Sequence, residues 1–185
     1  MALQSMETAM KFLKWLGLGV LALAAVLLIG GWLLPSTFSV SRSVLVNAPA
    51  ERIYPLVADP RGWKQWSVWN RRDPTMQIEY AGPPSGSGAQ WTWHSKGEGD
   101  GRMTFTDVVP GQRVGYELFF PDFGTTSSGA LSFQPEGSAT KVTWTMNGDM
   151  GRNPLFHWIA LNADSMIGKD FEAGLANLKA LAEKP

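Results

Sequence analysis

The chain has 185 residues, with 16 basic and 16 acidic side chains and no cysteine. Balanced charge argues against binding to nucleic acid through phosphate contacts, which depends on a basic surplus. Without cysteine there is no disulfide framework, cysteine-ligated zinc site or catalytic thiolate, and two histidines are too few for a histidine-rich metal site. We therefore expect neither a metal nor a cofactor. The nine tryptophans are typical of a large core, a membrane belt or an aromatic-lined cavity.

The first predicted element is an apolar segment near the N-terminus. The twenty residues from Trp15 to Leu34 carry no charge, and a helix of that length spans about 30 Å, the thickness of a bilayer core. Trp15 and Trp32 lie near its ends, where indoles favour the headgroup layer. A cleaved signal peptide would have a shorter apolar region and a small-residue cleavage site. The sequence therefore predicts a retained transmembrane anchor over residues 12–35, after a flank over residues 1–11.

The charges beside the anchor predict its orientation. Lys11 and Lys14 precede the apolar segment, whereas the first fifteen residues after it carry only Arg42. By the positive-inside rule, the N-terminus is expected in the cytoplasm. The domain formed by residues 36–185 is then expected on the periplasmic or extracytoplasmic side.

One strand and two short helices are predicted directly after the anchor. Residues 38–47 alternate apolar side chains with serines, which indicates a strand, and Ala48-Pro49 ends it. Residues 50–59 have apolar side chains at helical spacing, and three tryptophans follow at intervals of three within 63–69. This pattern predicts two helices with a break near Asp59-Pro60.

The remaining pattern predicts a sheet and a helix that covers it. Between residues 75 and 148, six runs alternate apolar and polar side chains and are separated by turn residues, which is typical of an antiparallel meander with one covered face. Asn153-Pro154 is a helix-start signal, and the apolar residues of 165–181 recur every three or four positions. We expect an α+β fold of order β-αα-β6-α, in which a seven-stranded antiparallel sheet wraps around one long C-terminal helix.

A resemblance to a known family rests on several segments, chiefly SRSVLVNAPAERIYPLVADPRGWKQWSVW, GRMTFTDVVPGQRVGYEL, KVTWTMNGDM and MIGKDFEAGLANLKALAE. Together they resemble the polyketide cyclase/dehydrase group of the START-related helix-grip (SRPBCC) superfamily, especially its membrane-anchored bacterial members. The resemblance covers residues 38–184 and implies a helix-grip fold with a ligand-sized cavity between sheet and helix. The segment GRNPLFHW, residues 151–158, matches no pattern of the family.

Large aromatic side chains and methionines dominate the face that is expected to point inwards, and such residues are typical of pockets for apolar ligands. The predicted ligand-binding residues are Trp66, Trp69, Trp91, Trp93, Met103, Phe105, Tyr116, Leu118, Phe133, Trp144, Met146, Phe171 and Leu175. A core filled by these same side chains is the alternative interpretation. With the anchor, the pattern predicts a membrane-anchored module that binds a hydrophobic small molecule or lipid.

Candidates for acid–base chemistry are few. Asp107 is in phase with the inward-facing residues of its strand, so its carboxyl could be a buried acid or base, but its place near the strand end favours a solvated turn carboxylate. His94 is expected to face outwards or to end its strand, and His157 is expected to pack or to cap a helix. Arg42 shares the phase of inward-facing valines and could anchor an anion.

Two other functions remain open at the level of sequence. An enzyme of the cyclase/dehydrase type would require a buried acid or base. A protein-interaction module, as in co-chaperone relatives of the fold, would show an exposed apolar patch on the domain. The glycine-rich stretches GSGAQW and GEGDGR fit hairpin turns and not a phosphate-binding loop.

Overall fold

The computed structural model describes residues 2–184, with side chains from residue 10 onward. Its first element, α1, spans Ala2–Leu33, so the helix begins within the predicted flank 1–11 and ends two residues before the predicted end of the anchor. The side chains of residues 1–9 lie outside the described residues. Within α1, Met10–Leu33 is long and apolar enough to cross a membrane, and only 6% of its most apolar window is buried.

The chain after α1 forms one antiparallel sheet whose spatial order is β1-β7-β6-β5-β4-β3-β2. Its strands are β1 (Thr37–Val46), β2 (Gln77–Ala81), β3 (Gln90–His94), β4 (Gly101–Val109), β5 (Arg113–Phe120), β6 (Thr125–Glu136) and β7 (Ala139–Asp149). The last strand pairs with the first over ten residues, which places β1 at one edge and β2 at the other. The predicted seven-stranded α+β fold is confirmed.

Short helices cover one part of the sheet. They are α2 (Ala50–Ala58), a 3₁₀ turn (Pro60–Gly62), α3 (Trp63–Trp66) and α4 (Trp69–Arg72). The sequence predicts a single helix after the break, but the chain is extended at Ser67 and divides this region into two. The indoles of Trp63 and Trp66 donate hydrogen bonds to the carbonyls of Val57 and Leu56, which fixes the short segment against α2.

The long helix α5 (Pro154–Ala182) begins at the predicted signal. The side chain of Asn153 accepts a hydrogen bond from the backbone N–H of Leu155 at 3.1 Å and so caps the first turn. α5 packs chiefly along β1 and also against α1 and the short helices. We call residues 154–168 its N-terminal half and residues 169–182 its C-terminal half.

Candidate functional site

The thirteen residues predicted to bind a ligand lie together between the inner face of the sheet, the short helices and α5. Twelve of them are buried, and Trp69 is half-buried. The burial of the nine that lie on strands follows from the alternation along β3 to β7, which places every second residue on the inner face. The expected inward orientation is therefore observed, and their ligand-binding role stays a prediction.

Aromatic rings fill the centre of this space. The rings of Trp144 and Phe171 stack at 3.9 Å with an interplanar angle of 4°. Trp63, which the sequence does not single out for the site, lies at the middle: its ring is 4.5 Å from that of Trp66, 5.3 Å from Trp91 and 5.5 Å from Trp144. The sequence does contain a signal for this position of Trp63. Trp63 and Trp66 are three residues apart, which places both rings under α2.

The polar atoms of this core already have partners. Tyr116 donates its hydroxyl proton to the carbonyl of Thr145 at 3.0 Å and accepts a hydrogen bond from the Trp144 indole at 2.9 Å. Burial raises the pKa of Tyr116 far above its ordinary value, so the phenol stays neutral. Among the described residues, no buried side-chain nitrogen or oxygen lacks a hydrogen-bond partner. The space therefore offers a guest apolar contacts and no vacant polar group.

Two depressions among the described residues lie outside the aromatic core. One, of about 670 Å³, is lined by Ser39, Glu117, Ser128 and Asn147 and also reaches Phe38, Ser127 and Gly148. Another, of about 270 Å³, lies beside the 3₁₀ turn and the β2–β3 connection. In the structure, the space between sheet and α5 is occupied by the protein's own side chains.

The two halves of α5 fill that space differently. The C-terminal half contributes Phe171, Leu175 and Leu178, all of which belong to the hydrophobic core. In the N-terminal half, Ala160 and Ala163 are buried but are not part of that core cluster, and Ile167 packs against its edge. The strands at this end carry the small residues Ser127 and Gly148, which are paired across β6 and β7, and the ring of Phe38 lies next to Gly148. The N-terminal half of α5 therefore contributes two small buried side chains where the C-terminal half contributes Phe171 and Leu175.

Polar contacts tie the C-terminal half to its neighbours. The Asp170 carboxylate accepts hydrogen bonds from the Trp69 indole at 3.0 Å and from the Arg72 guanidinium at 2.8 Å. The Asn177 amide donates to the carbonyl of Trp66, and the Lys179 ammonium donates to that of Leu45. These contacts fix the C-terminal half to the short helices and to β1.

Arg42 connects the middle of α5 to β1. Its guanidinium pairs with Asp164 at 2.8 Å and with Glu172 at 2.6 Å, and it lies over Gly168, where a Cβ would overlap it. The hydrogen bond from Arg42 holds the pKa of Asp164 below its ordinary value. These two ion pairs connect β1 to α5. Because two carboxylates already neutralise the guanidinium, Arg42 is not available to bind the anion that the sequence suggested.

The acid–base candidates from the sequence lie at the surface. The expected inward phase of Asp107 is wrong, because a register shift between Phe105 and Val108 turns the strand, and the Asp107 side chain is 67% exposed and paired with Arg113. His94 is exposed at the end of β3, as expected, and its hydrogen bond with Asp100 raises its pKa. Neither group points into the aromatic core.

His157 lies where α5 meets the end of α1. It is buried, with Nδ1 2.8 Å from the carbonyl oxygen of Gly31 and Nε2 2.9 Å from that of Gly151. The hydrogen bonds to Gly151 and Gly31 raise its pKa, and Asp149 adds to the effect. The packing or capping role expected from the sequence agrees with this position. Within residues 151–158, for which the sequence suggested no family pattern although the family model spans them, Pro154, His157 and Trp158 contact α1.

Comparison with known proteins identifies the family and the fold. Residues 37–183 match the family model described as polyketide cyclase / dehydrase and lipid transport. No curated protein was found to match the chain.

Several solved structures share the fold. A Thermobifida fusca protein is 23% identical with a TM-score of 0.62, covering 78% of this chain and 92% of its own. The Zhui aromatase/cyclase from Streptomyces sp. R1128 is 18% identical with a TM-score of 0.58, covering 80% and 94%. A norcoclaurine synthase point mutant from Thalictrum flavum is 15% identical with a TM-score of 0.60, covering 79% and 94%. The family model spans most of the chain, and the chain therefore belongs to the polyketide cyclase / dehydrase and lipid transport family.

Proposed function

We propose that the protein is a membrane-anchored module that binds an apolar small molecule or a lipid between the inner face of the sheet and the N-terminal half of α5. The observation that carries this proposal is the uneven filling along α5, where Ala160 and Ala163 cover one end and Phe171 and Leu175 fill the other. A guest enters when the N-terminal half moves away from the sheet, because Ala160 and Ala163 contribute only methyl groups to the buried side of this half.

The chemistry of the lining defines the class of ligand. Buried polar atoms in the described part of the chain are already paired, so binding gains its free energy from apolar contact. An aromatic series leads from the inner face to the surface at this end: ring centroids are 6.1 Å apart for Trp93 and Phe120, 6.4 Å for Phe120 and Phe123, and 5.4 Å for Phe123 and Phe156. The family description, which includes lipid transport, is consistent with such a ligand.

Anchoring by α1 supports the same function. A ligand that partitions into a bilayer is concentrated beside a domain tethered there. Lys11 and Lys14 favour a cytoplasmic N-terminus and a domain on the other side. A reporter fused to the C-terminus is expected to be active outside the cytoplasm, and activity only in the cytoplasm would contradict this orientation.

Native mass spectrometry of the full-length protein in detergent tests the binding site. We expect about one apolar molecule per chain. Ala163→Leu fills the N-terminal site and is expected to abolish the bound mass. Ala182→Leu adds the same volume to a buried alanine at the other end of α5 and is expected to retain it. Overpacking costs about 1–3 kcal/mol at either position.

Wild-type protein without a bound molecule, or equal loss in the two variants, would contradict the proposed site. Near-ultraviolet circular dichroism verifies that each variant keeps its packed aromatic core. If Ala163→Leu does not fold, Ala160→Val places a smaller addition on the same half of the helix, and loss of the bound mass is again expected.

A further inference from the structure

Exposed apolar side chains of the domain concentrate at one end. Six large apolar side chains are exposed among the described residues after α1: Leu45, Val109, Phe123, Leu155, Leu161 and Met166. Four of them lie in the β5–β6 turn or on the N-terminal half of α5, with exposed fractions from 40% at Phe123 to 61% at Met166. The other two lie near the opposite end of the strands, in the last residues of β1 and β4.

The same part of α5 also lacks charge. Residues 153–163 contain no Asp, Glu, Lys or Arg, whereas residues 164–184 contain seven. A helix face that is exposed to water normally carries charged side chains. An exposed face with apolar and uncharged residues is typical of a helix that lies in the interfacial layer of a membrane.

Contacts with α1 fix the level of this surface along the candidate membrane span. The Trp158 indole donates a hydrogen bond to the carbonyl of Leu27 at 3.0 Å. Leu27 lies six residues before the end of α1 at Leu33, which is about 9 Å along a helix axis. If α1 crosses the bilayer, the first turns of α5 therefore lie beside the last two turns of the span.

α1 and the start of α5 pack closely at two glycines of α1. A Cβ at Gly31 would overlap the backbone of Pro154, and a Cβ at Gly30 would come within 2.8 Å of the Trp158 ring. The two glycines thus allow the start of α5 to approach the backbone of α1. The apolar end of the domain is consequently continuous with the apolar surface of the helix.

Resting on the membrane anchoring proposed above, we propose that the β5–β6 turn and the first turns of α5 are inserted in the interfacial layer of the bilayer that α1 crosses. We call the surface formed by Phe123, Leu155 and Leu161 the membrane-contact surface. The exposed Arg152 precedes α5 and can pair with lipid phosphate at the same level. This placement directs the N-terminal half of α5, and the binding site beneath it, towards lipid and not towards water.

Site-directed spin labelling tests this placement, and the absence of native cysteine gives it a clean background. Single variants Leu155→Cys, Leu161→Cys and Phe123→Cys are labelled in the full-length protein reconstituted into phosphatidylcholine–phosphatidylglycerol vesicles. Val109→Cys and Leu45→Cys, which are also exposed apolar positions, are matched controls. Collisions with oxygen are expected to dominate at the membrane-contact surface, and collisions with a water-soluble nickel complex are expected to dominate at the controls.

A further label at Leu21→Cys, in the middle of the candidate span, separates the two proposals. If Leu21→Cys reports lipid while the three surface labels report water, anchoring holds and the membrane-contact surface is wrong. If Leu21→Cys also reports water, both anchoring and the surface are wrong. Surface labels that neither reagent reaches would indicate a protein partner or a second copy, which contradicts a lipid contact.

Discussion

The two halves of α5 belong to one uninterrupted helix but meet different surroundings. The C-terminal half places Phe171 and Leu175 in the aromatic core and is tied to the short helices through Asp170. The N-terminal half buries Ala160 and Ala163 and exposes Leu155 and Leu161. Its first turns are bonded to α1. One half is therefore built into the aromatic core, and the other is attached to α1.

If an apolar molecule binds as proposed, the difference between the two halves explains how binding and a closed aromatic core coexist. We expect the stability of the fold to rest on the C-terminal half, so that the N-terminal half can move without unfolding the domain. Variants that alter one half of α5 and spare the other test this comparison.

Two phenylalanines on α5 give the most direct comparison of stability. Phe171→Ala removes a fully buried ring that stacks on Trp144 and is expected to cost about 3–5 kcal/mol in the free energy of unfolding. Phe156→Ala removes a half-buried ring in the N-terminal half and is expected to cost less than half as much. Urea unfolding followed by circular dichroism measures both. Equal losses of unfolding free energy in the two variants would contradict the difference between the two halves of α5.

Substitution of Gly31 tests the attachment of the N-terminal half of α5 to α1. Gly31→Val would overlap the backbone of Pro154, so α1 is expected to move away from α5 while the domain stays folded. Gly17→Val is a matched control in the same helix, since a Cβ at Gly17 meets nothing within 4 Å. Spin labels at Leu33→Cys and Leu155→Cys measure the separation by double electron–electron resonance. An unchanged distance in Gly31→Val would refute the close approach.

A smaller effect is expected from pH, through His157. Its two ring nitrogens lie within hydrogen-bond distance of carbonyl oxygens, which only accept, so the protonated ring can donate to both and the neutral ring to one. Since its folded pKa is raised above the ordinary value of 6.5, the docking contribution is complete below that pH and is lost as pH rises through the raised pKa.

The same spin-label distance, measured across this pH range, checks the prediction. His157→Gln is expected to remove the pH dependence. His94→Gln changes the other histidine of the chain, which is exposed and paired with Asp100, and is expected to retain the dependence. Loss of the pH dependence in His94→Gln but not in His157→Gln would contradict the role of His157.

Much of the fold is predictable from local patterns. The start of α5 follows from Asn153-Pro154 because capping depends on adjacent residues alone. The inward orientation of Trp91, Met103 and Phe133 follows from alternation, since successive side chains in a strand point to opposite faces.

Other features depend on partners that are distant in the sequence. Asp107 turns outwards because of an irregularity in the pairing of β4 with β5, which alternation within β4 alone does not reveal. The filling of the core depends on how Trp63 packs among rings from several elements. The docking of α1 on α5 depends on Gly30 and Gly31 and on residues 154–158, and none of these carries a local signal for that contact.

Tryptophan quenching by a brominated 18-carbon fatty acid tests the central claim, that an apolar molecule binds beneath the N-terminal half of α5. In full-length protein with Trp15, Trp32 and Trp158 replaced by phenylalanine, the remaining indoles all belong to the domain core or its short helices. We expect saturable quenching at about one molecule per chain. Trp93→Phe, at the start of the aromatic series, is expected to remove most of it. Fluorescence equal to that with the bromine-free acid would contradict the account.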